Sequence, residues 1–310
     1  MLQRCTVARQ LVPHKVFDTH CHLGVKGDNP LPAFQRAVQQ NVRGLVVVGI
    51  DAASAEKSRD VAESLSAAPL PHDGEPCAVN WSAGLHPHHA GRYREEWSRL
   101  ASLVADGRSG SSNARCVAVG ETGLDYFKSQ ASRTDQRSSL ERHLALSSSL
   151  GLPIILHCRD AYADMFEVLE TFASSLPSKR LDGVFHCFSD GVESMHRAVS
   201  LGLHVSFCCT LGYRGRRSDA LRDACALCPL ESIVIETDSP WLPPVTMRGA
   251  TNEPAFVHHA LDAVIACKTR EGANGTFAGR DALATEVQQA IAQQLFANSQ
   301  RLFGLASNSS

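Results

Sequence analysis

KVFDTHCH, residues 15–22, is a short apolar run that ends in two histidines one residue apart. Successive side chains of a β-strand point to opposite faces, so Asp18, His20 and His22 would share one face and Thr19 and Cys21 the other. Two imidazoles on one face can chelate a metal ion, but a His-x-His pair also occurs at solvated strand ends and in packed turns. The rest of the chain has to supply the remaining ligands.

Seven further apolar runs follow this one and alternate with longer amphipathic segments. The predicted strands are 15–20, 44–50, 81–86, 116–122, 153–158, 183–188, 204–209 and 232–238, and helical patterns include 52–66, 94–104, 134–150, 161–174, 191–201 and 219–228. Short continuous runs rich in Val and Ile are typical of strands covered on both faces. The alternation predicts an α/β fold, a closed TIM (β/α)8 barrel, with an open doubly wound sheet as the alternative.

The composition is that of an ordinary globular protein. The 310 residues are 44% hydrophobic and 20% charged, and no apolar run reaches the ~20 residues of a membrane-spanning helix. The net charge of −2 gives no overall electrostatic footprint for nucleic acid, so polyanion binding would depend on a local patch. We expect an N-terminal extension at 1–14, one barrel domain at 15–305 and a disordered tail at 306–310, with polar loops at 67–76 and 106–113.

Eleven cysteines are scattered through the chain, and their odd number does not form the framework of a small secreted domain. The one CxxC motif, Cys225 to Cys228, lacks a second pair at zinc-site spacing and is interpreted as packing. A reducing compartment follows, and we expect the cytoplasm. The first fifteen residues contain three basic residues and no acidic one, so mitochondria, like the nucleus, stay an alternative location.

The histidines and carboxylates that stand out fall at the carboxyl ends of the predicted strands. Six residues share this placement: His20, His22, Glu121, His157, His186 and Asp238. In a (β/α)8 barrel the carboxyl ends of all strands line one rim, so residues far apart in the chain converge in one pocket. Four imidazoles and two carboxylates suit two divalent cations, Mg²⁺, Mn²⁺ or Zn²⁺, with Glu121 placed to bridge them.

Six ordered motifs carry a resemblance to a known family. They are FDTHCH (17–22), GLHPHH (84–89), GETGLDY (120–126), LHCRDA (156–161), FHCFS (185–189) and IETDSPWLPP (235–244), followed by TNEP (251–254) and NSQRLFG (298–304). In this order they resemble the TatD family of metal-dependent deoxyribonucleases, within the amidohydrolase superfamily. The resemblance implies a barrel of the metal-dependent hydrolase type, the same six residues as metal ligands, and hydrolysis of DNA phosphodiesters, with 3′–5′ exonuclease action on single strands.

Asp238, Glu121 and His88 are the predicted catalytic residues. Two divalent metals roughly 3.5–4 Å apart can activate a water molecule and neutralise phosphate oxygens. Asp238 would bind one metal and accept a proton from the attacking water. Its alternative role is that of an N-cap, since TDSP is also a helix-start signal.

His86 and His88 are predicted to face the substrate, where they could donate to a phosphate or protonate a leaving oxygen. Their alternative is a structural role at the turn around Pro87. Arg159 lies two residues beyond His157 and could hold a phosphate by a bidentate contact. Its alternative is a salt bridge to a rim carboxylate, either Glu121 or Asp125.

Two aromatic residues and a group of arginines complete the predicted substrate contacts. Tyr126 and Trp241 flank ligand motifs and could stack on bases, although Trp241 could equally close the core. Arg214, with Arg216 and Arg217, follows the seventh strand in a predicted loop and forms the best local basic patch. Such a patch is more often simply solvated.

Three functional hypotheses remain at this point. The leading one is a deoxyribonuclease that acts on single-stranded DNA as a monomer, with no membrane partner. The second is a superfamily hydrolase that cleaves a lactone, an amide or a small phosphoester. The third is a barrel that keeps its metal for structure, which six ligands argue against because structural metal sites need only four.

Overall fold

The computed structural model of the protein describes residues 14–25, 27–70, 75–108, 114–269 and 282–305. Eight parallel strands form one sheet in sequential order: β1 (Val16–Cys21), β2 (Val42–Gly49), β3 (Ala78–Ala83), β4 (Cys116–Asp125), β5 (Ile154–Arg159), β6 (Gly183–Phe185), β7 (His204–Phe207) and β8 (Ile233–Ile235). A parallel bridge between Cys21 and Ser239 joins the first strand to the segment after the last. The predicted barrel is therefore confirmed, and the open sheet is excluded.

Helices connect the strands along the chain. They are α1 (Leu31–Gln39), α2 (Ala52–Ser66), α3 (Tyr93–Arg108), α4 (Arg133–Leu150), α5 (Tyr162–Ser175), α6 (Val192–Ser200), α7 (Arg216–Leu227), α8 (Val257–Lys268) and α9 (Ala282–Leu302). The six predicted helical segments are confirmed as α2 to α7, with small shifts of their ends, whereas α1, α8 and α9 were not predicted. Within the described residues, no helix is both long enough and apolar enough to cross a membrane.

Two predicted loop placements were wrong in part. Residues 106–108 belong to the last turn of α3, and Arg216 and Arg217 begin α7 instead of lying in a loop. Residues 71–74 and 109–113, in the middle of the two predicted polar loops, lie outside the described residues. So do 1–13 and 306–310, and the division of the chain into an extension, one barrel domain and a tail stays a prediction.

The amino end of the barrel is closed by the segment around the end of α9. Apolar residues near the strand beginnings, among them Phe17, Ile155 and Val234, form a buried cluster with Phe303. The rings of Phe17 and Phe303 stack with their centroids 5.9 Å apart. The larger apolar cluster lies between the strands and the surrounding helices. Because the amino end is filled in this way, the carboxyl end is the open face on which a site can form.

A buried asparagine holds α9 against the last strand. The Asn298 side-chain amide donates to the carbonyl oxygens of Leu230 (2.8 Å) and Ile233 (2.7 Å). Both carbonyls precede or begin β8, so one side chain supplies their hydrogen bonds. This contact explains why the closing NSQRLFG motif contains an asparagine at a fully buried position.

A buried histidine ties α4 to the segment after β3. His143 Nδ1 donates to the Ser139 carbonyl (2.7 Å), and its Nε2 accepts from the Leu85 N–H (3.1 Å). Burial lowers the pKa of His143 to about 4, so the ring is neutral at pH 7. Its two hydrogen bonds position the backbone next to His86.

The close approach of β3 to β4 depends on a glycine. A Cβ at Gly84 would lie 2.4 Å from Gly120 Cα and 2.5 Å from the Glu121 carbonyl oxygen. Any larger side chain would therefore push β4 away at the residue that carries the central carboxylate of the site.

Candidate metal centre

The six predicted ligands converge around the Glu121 carboxylate at the carboxyl end of the barrel. Glu121 Oε1 lies 2.9 Å from His157 Nδ1 and 3.0 Å from His186 Nε2. Its other oxygen, Oε2, lies 3.4 Å from His20 Nε2 and 3.8 Å from His22 Nε2. These ligands form a cluster with two halves: Oε1 faces His157 and His186, and Oε2 faces His20 and His22.

The predicted position of Glu121 at the end of its strand was wrong. β4 continues to Asp125, so Glu121 lies inside the strand, four residues before its end. Glu121 and Asp125 are both buried, and both contact His157, on opposite sides of its ring. The longer strand therefore supplies two carboxylates to the site instead of one.

Asp238 completes one side of the cluster. Its Oδ1 lies 3.5 Å from His22 Nε2 and 3.8 Å from His20 Nε2. Asp238 has a φ of 56°, in the left-handed region that is unfavourable for a side chain, and its N–H donates to the His20 carbonyl at 2.9 Å. No described helix begins directly after it, so the alternative role as an N-cap is wrong.

A buried aspartate supports this strained segment. Asp18 accepts hydrogen bonds from the N–H of Thr237 (2.9 Å) and from its hydroxyl (2.6 Å). Complete burial raises the pKa of Asp18 to about 8 despite these bonds. Asp18, the aspartate of FDTHCH, therefore holds Thr237, the residue before Asp238, and does not face the cluster.

Three imidazoles each use their outer nitrogen to donate a hydrogen bond away from the cluster. His22 Nδ1 faces the Val48 carbonyl at 3.0 Å, His186 Nδ1 faces Glu236 Oε1 at 3.2 Å, and His157 Nε2 faces Asp125 Oδ2 at 3.2 Å. These acceptors assign the proton of the neutral ring to the outer nitrogen, so each inner nitrogen then presents a lone pair.

The interior of the site is therefore a convergence of acceptors. Ring nitrogens lie 3.0 Å apart between His20 Nε2 and His22 Nε2, and 3.3 Å apart between His157 Nδ1 and His186 Nε2. They also meet the carboxylate of Glu121. Such contacts repel unless protons or cations lie between them. Buried nitrogen and oxygen donors held by outer hydrogen bonds are the set that divalent metals use.

The pKa values of the cluster reflect this arrangement. Burial lowers the pKa of His186, but the carboxylates of Glu121 and Glu236 outweigh it and raise that pKa well above its usual range. Burial likewise raises the pKa of Glu121, but the neighbouring His186 and His86 hold it well below its usual range. Protons and metal ions would compete for the same atoms.

Glu236 is a site residue that we did not predict. It lies two residues before Asp238, and with His20 and His186 it forms one of three groups whose ligand atoms all lie within 4.8 Å of one another. Its two oxygens accept from the Cys187 N–H (2.6 Å) and the Ser206 hydroxyl (2.7 Å). The IETD motif carried the signal, since residues two apart share a face in an extended segment.

His86 differs from the other imidazoles. It belongs with Glu121 and His157 to a second group of potential ligands. However, its Nδ1 accepts from the His88 N–H at 3.1 Å, so its proton lies on Nε2, which points at Glu121 Oε1 from 3.4 Å. Burial keeps the pKa of His86 well below its usual value. A neutral donor of this kind fits a hydrogen bond better than a metal bond.

The predicted substrate-binding residues lie at different distances from the cluster. His88 is partly exposed, and its Nε2 lies 3.4 Å from Asp125 Oδ2. Tyr126 donates its hydroxyl to Asp164 (2.7 Å), and the Arg133 guanidinium covers its ring at 4.1 Å. Tyr126 is therefore occupied by neighbours of its own and does not offer a free ring.

Arg159 does not form the alternative salt bridge. Its guanidinium lies 4.1 Å from the centre of the Phe127 ring, and among the described residues it has no carboxylate partner. Trp241 packs edge-on against the His22 ring, with centroids 4.9 Å apart, and is 44% exposed. Arg214 is exposed, and no contact within the described part of the chain joins it to the cluster.

A protein-family model matches nearly the whole described chain. Residues 17–304 match the family model described as TatD related DNase. The chain belongs to the TatD-related DNase family. This span contains all eight strands, apart from the first residue of β1, and every residue of the cluster. The protein is therefore a metal-dependent hydrolase of this family.

Individual relatives of this TatD-family chain extend the comparison. The 3′-5′ ssDNA/RNA exonuclease TatD of Pantoea ananatis is 31% identical over 280 residues, which cover 87% of this chain and 91% of the relative. The uncharacterized metal-dependent hydrolase YcfH of Escherichia coli is 34% identical over 197 residues, 63% of this chain and 68% of that protein. The crystal structure of YJJV, a TatD homolog from Escherichia coli, superposes with a TM-score of 0.74 at 27% identity, covering 96% of this chain and all of the other.

Proposed function

We propose that this TatD-family protein is a divalent-metal-dependent deoxyribonuclease that hydrolyses phosphodiester bonds, with 3′–5′ exonuclease action on single-stranded DNA. The observation that carries the proposal is the convergence of buried imidazole nitrogens on the carboxylate of Glu121. Two cations, Mg²⁺, Mn²⁺ or Zn²⁺, would be held by His20, His22, Glu121, His157, His186 and Asp238. When bound, they supply Lewis acidity that activates water and neutralises phosphate oxygens.

Asp238 is positioned to act as the general base. Burial raises its pKa, but the neighbouring His22 and the charge of His186 outweigh this and lower the pKa below its usual value. The carboxylate is therefore ionised at neutral pH and can accept a proton from the attacking water. Its fixed left-handed backbone holds that oxygen at the edge of the cluster.

Two histidines on the other side of the cluster serve the substrate. His86 presents a neutral Nε2–H towards Glu121 and can donate it to a phosphate oxygen. His88 is more exposed and lies beside Asp125, so it can deliver a proton to the leaving oxygen. Asp125 also accepts from His157, which keeps the inner nitrogen of that ring free.

The proposal includes action as a monomer in a reducing compartment, the cytoplasm. Supporting this location, the eleven scattered cysteines do not form the framework of a small secreted domain. The 3′–5′ direction and the single-stranded substrate come from the name of the Pantoea ananatis relative. The second candidate, a hydrolase of small phosphoesters, lactones or amides, is supported by fold similarity alone.

The test is a cleavage assay with end-labelled DNA. Single- and double-stranded oligonucleotides carrying a label at either end are incubated with the protein and Mg²⁺, Mn²⁺ or Zn²⁺, with EDTA as the metal-free control. Asp238→Ala and Glu121→Gln should abolish cleavage, whereas Asp60→Ala, on the exposed face of α2, should not. The proposal is rejected if no metal supports cleavage, or if Asp238→Ala cuts DNA as fast as the unaltered protein.

A further inference from the structure

We propose that Phe127 and Arg159 form a nucleotide subsite beside the metal centre, in which the Phe127 ring stacks on an unpaired base and the Arg159 guanidinium binds a phosphate of the same strand. This inference rests on the proposed nuclease function. It assigns a substrate contact to a phenylalanine for which the sequence motifs indicate no role.

Exposure of the ring is the first observation. Phe127 is 58% exposed and Trp241 44% exposed, and these are the only exposed Phe, Tyr or Trp side chains in the described part of the chain. Phe127 follows β4, and Trp241 lies in the segment after β8. Both elements carry carboxylates of the site. Exposed aromatic rings confined to the rim of a site indicate a surface that a ligand covers.

Arg159 explains how one face of this ring is used. Its guanidinium lies 4.1 Å from the ring centre, so it covers one face of Phe127. The exposed area therefore belongs to the opposite face and the edge. The strand register fixes this pair, because Asp125 of β4 lies opposite Arg159 of β5 and the Tyr126 N–H donates to the Arg159 carbonyl at 3.0 Å.

The subsite is connected directly to the metal centre. The Phe127 N–H donates to Asp125 Oδ1 at 2.8 Å, and the other oxygen of the same carboxylate lies 3.2 Å from His157 Nε2. The position of the ring is therefore set by a residue that also sets a proposed ligand. A strand whose phosphate lies in the cluster would bring its neighbouring nucleotide to this ring.

The chemistry of the pair favours nucleic acid over an apolar partner. An aromatic face backed by a guanidinium with no carboxylate partner among the described residues offers stacking and positive charge at one place. Lys128, the next residue, is exposed as well. An apolar protein surface would leave the guanidinium desolvated, whereas a nucleotide supplies a base for the ring and a phosphate for the charge.

The experiment pairs protein variants with altered substrates. A single-stranded oligonucleotide is prepared with one abasic residue at each position near its 3′ end, and KM is measured for the unaltered protein, Phe127→Ala and Phe127→Trp. Base stacking on one aromatic face predicts a KM about five- to tenfold higher for Phe127→Ala on the intact strand. The difference should vanish when the abasic residue occupies the position that contacts the ring, and Phe127→Trp should retain or lower KM.

The arginine is tested in the same way. Arg159→Gln should raise KM on the natural strand, and the increase should disappear when a neutral methylphosphonate replaces the phosphate that it contacts. Leu227→Ala serves as the matched control, because Leu227 is 60% exposed but lies in the last turn of α7, away from the site strands. It should leave KM unchanged.

Failure of this inference can be distinguished from failure of the nuclease function. If the unaltered protein cuts DNA but Phe127→Ala responds to every abasic position as the unaltered protein does, only the subsite is overturned. If nothing is cut, fluorescence anisotropy with the same oligonucleotides in EDTA measures binding directly. Equal affinities of Phe127→Ala and the unaltered protein, or no binding by either, would overturn the subsite there too.

Discussion

Asp125 decides which nitrogen of His157 faces the proposed metals, and exchanging it for asparagine tests this role. Asp125 Oδ1 accepts from the N–H groups of Phe127 (2.8 Å) and Lys128 (2.7 Å), while Oδ2 accepts from His157 Nε2 (3.2 Å). Three donors thus require the two oxygens of this carboxylate as acceptors, and the partly exposed His88 lies 3.4 Å from Oδ2 as a fourth neighbour. An asparagine supplies only one oxygen.

Either orientation of the new amide creates a conflict. If its oxygen keeps the two backbone donors, its NH₂ group meets the N–H of His157, and the imidazole moves its proton to Nδ1, the nitrogen that should bind metal. If the amide flips, two backbone N–H groups of the β4 end lose their acceptor. One buried donor without a partner costs about 1–3 kcal/mol, which corresponds to roughly 5- to 150-fold in an equilibrium constant.

We therefore expect Asp125→Asn to weaken metal binding about 10- to 100-fold, the usual effect of removing an outer partner of a metal-binding histidine. The measurement is a competition titration of Mn²⁺ or Zn²⁺ against a chromophoric chelator at pH 7.5, with the unfolding temperature of the metal-free protein as a check on the fold. Asp164→Asn is the matched control, since among the described residues Asp164 accepts only from the Tyr126 hydroxyl, one layer further out. A metal affinity of Asp125→Asn within threefold of the control would refute the reasoning.

Three further predictions concern the frame of the site. The pKa of His143 is 6.5 in the unfolded chain and about 4 in the folded protein, so the unfolded chain takes up this proton first as the pH falls. The free energy of unfolding should therefore decline between about pH 6.5 and pH 4, by about 3 kcal/mol at most. Chemical denaturation across this range should show a smaller decline for His143→Gln. Asn298→Ala leaves two carbonyls that flank β8 without their donor, and urea denaturation should show a loss of about 2–4 kcal/mol, whereas an unchanged midpoint would contradict the contact. Gly84→Ala would force apart strands whose backbones meet at Gly120, and metal titration should show weaker binding even where circular dichroism shows an intact barrel; unchanged affinity would mean that β4 adapts without moving Glu121.

Much of the fold follows from local patterns. Eight apolar runs separated by amphipathic segments are enough to predict the barrel, because strand and helix periodicities are properties of short windows. Two of the three helices that were not predicted, α1 and α9, have patterns that are hard to recognise in the sequence. α1 spans only 9 residues, and α9 has polar residues on most of its turns, with its apolar face recognisable only by the strand beginnings that it covers.

The sequence by itself determined that His20 and His22 share one face, and that further histidines and carboxylates fall near the carboxyl ends of other strands. It could not determine their partners. Whether an imidazole presents a lone pair or a proton depends on the acceptor behind it, and those acceptors, Val48, Glu236 and Asp125, come from other strands. Only the register and closure of the barrel bring them together.

The tertiary structure also decided two assignments that no local pattern contains. Glu121 lies inside β4, so the same strand delivers Asp125 to the opposite side of His157. Arg159 covers the Phe127 ring instead of pairing with a carboxylate. The physical reason is the same in each case: a side chain is placed by its own strand, but its charge, its proton and its exposure are set by neighbours on the next strand.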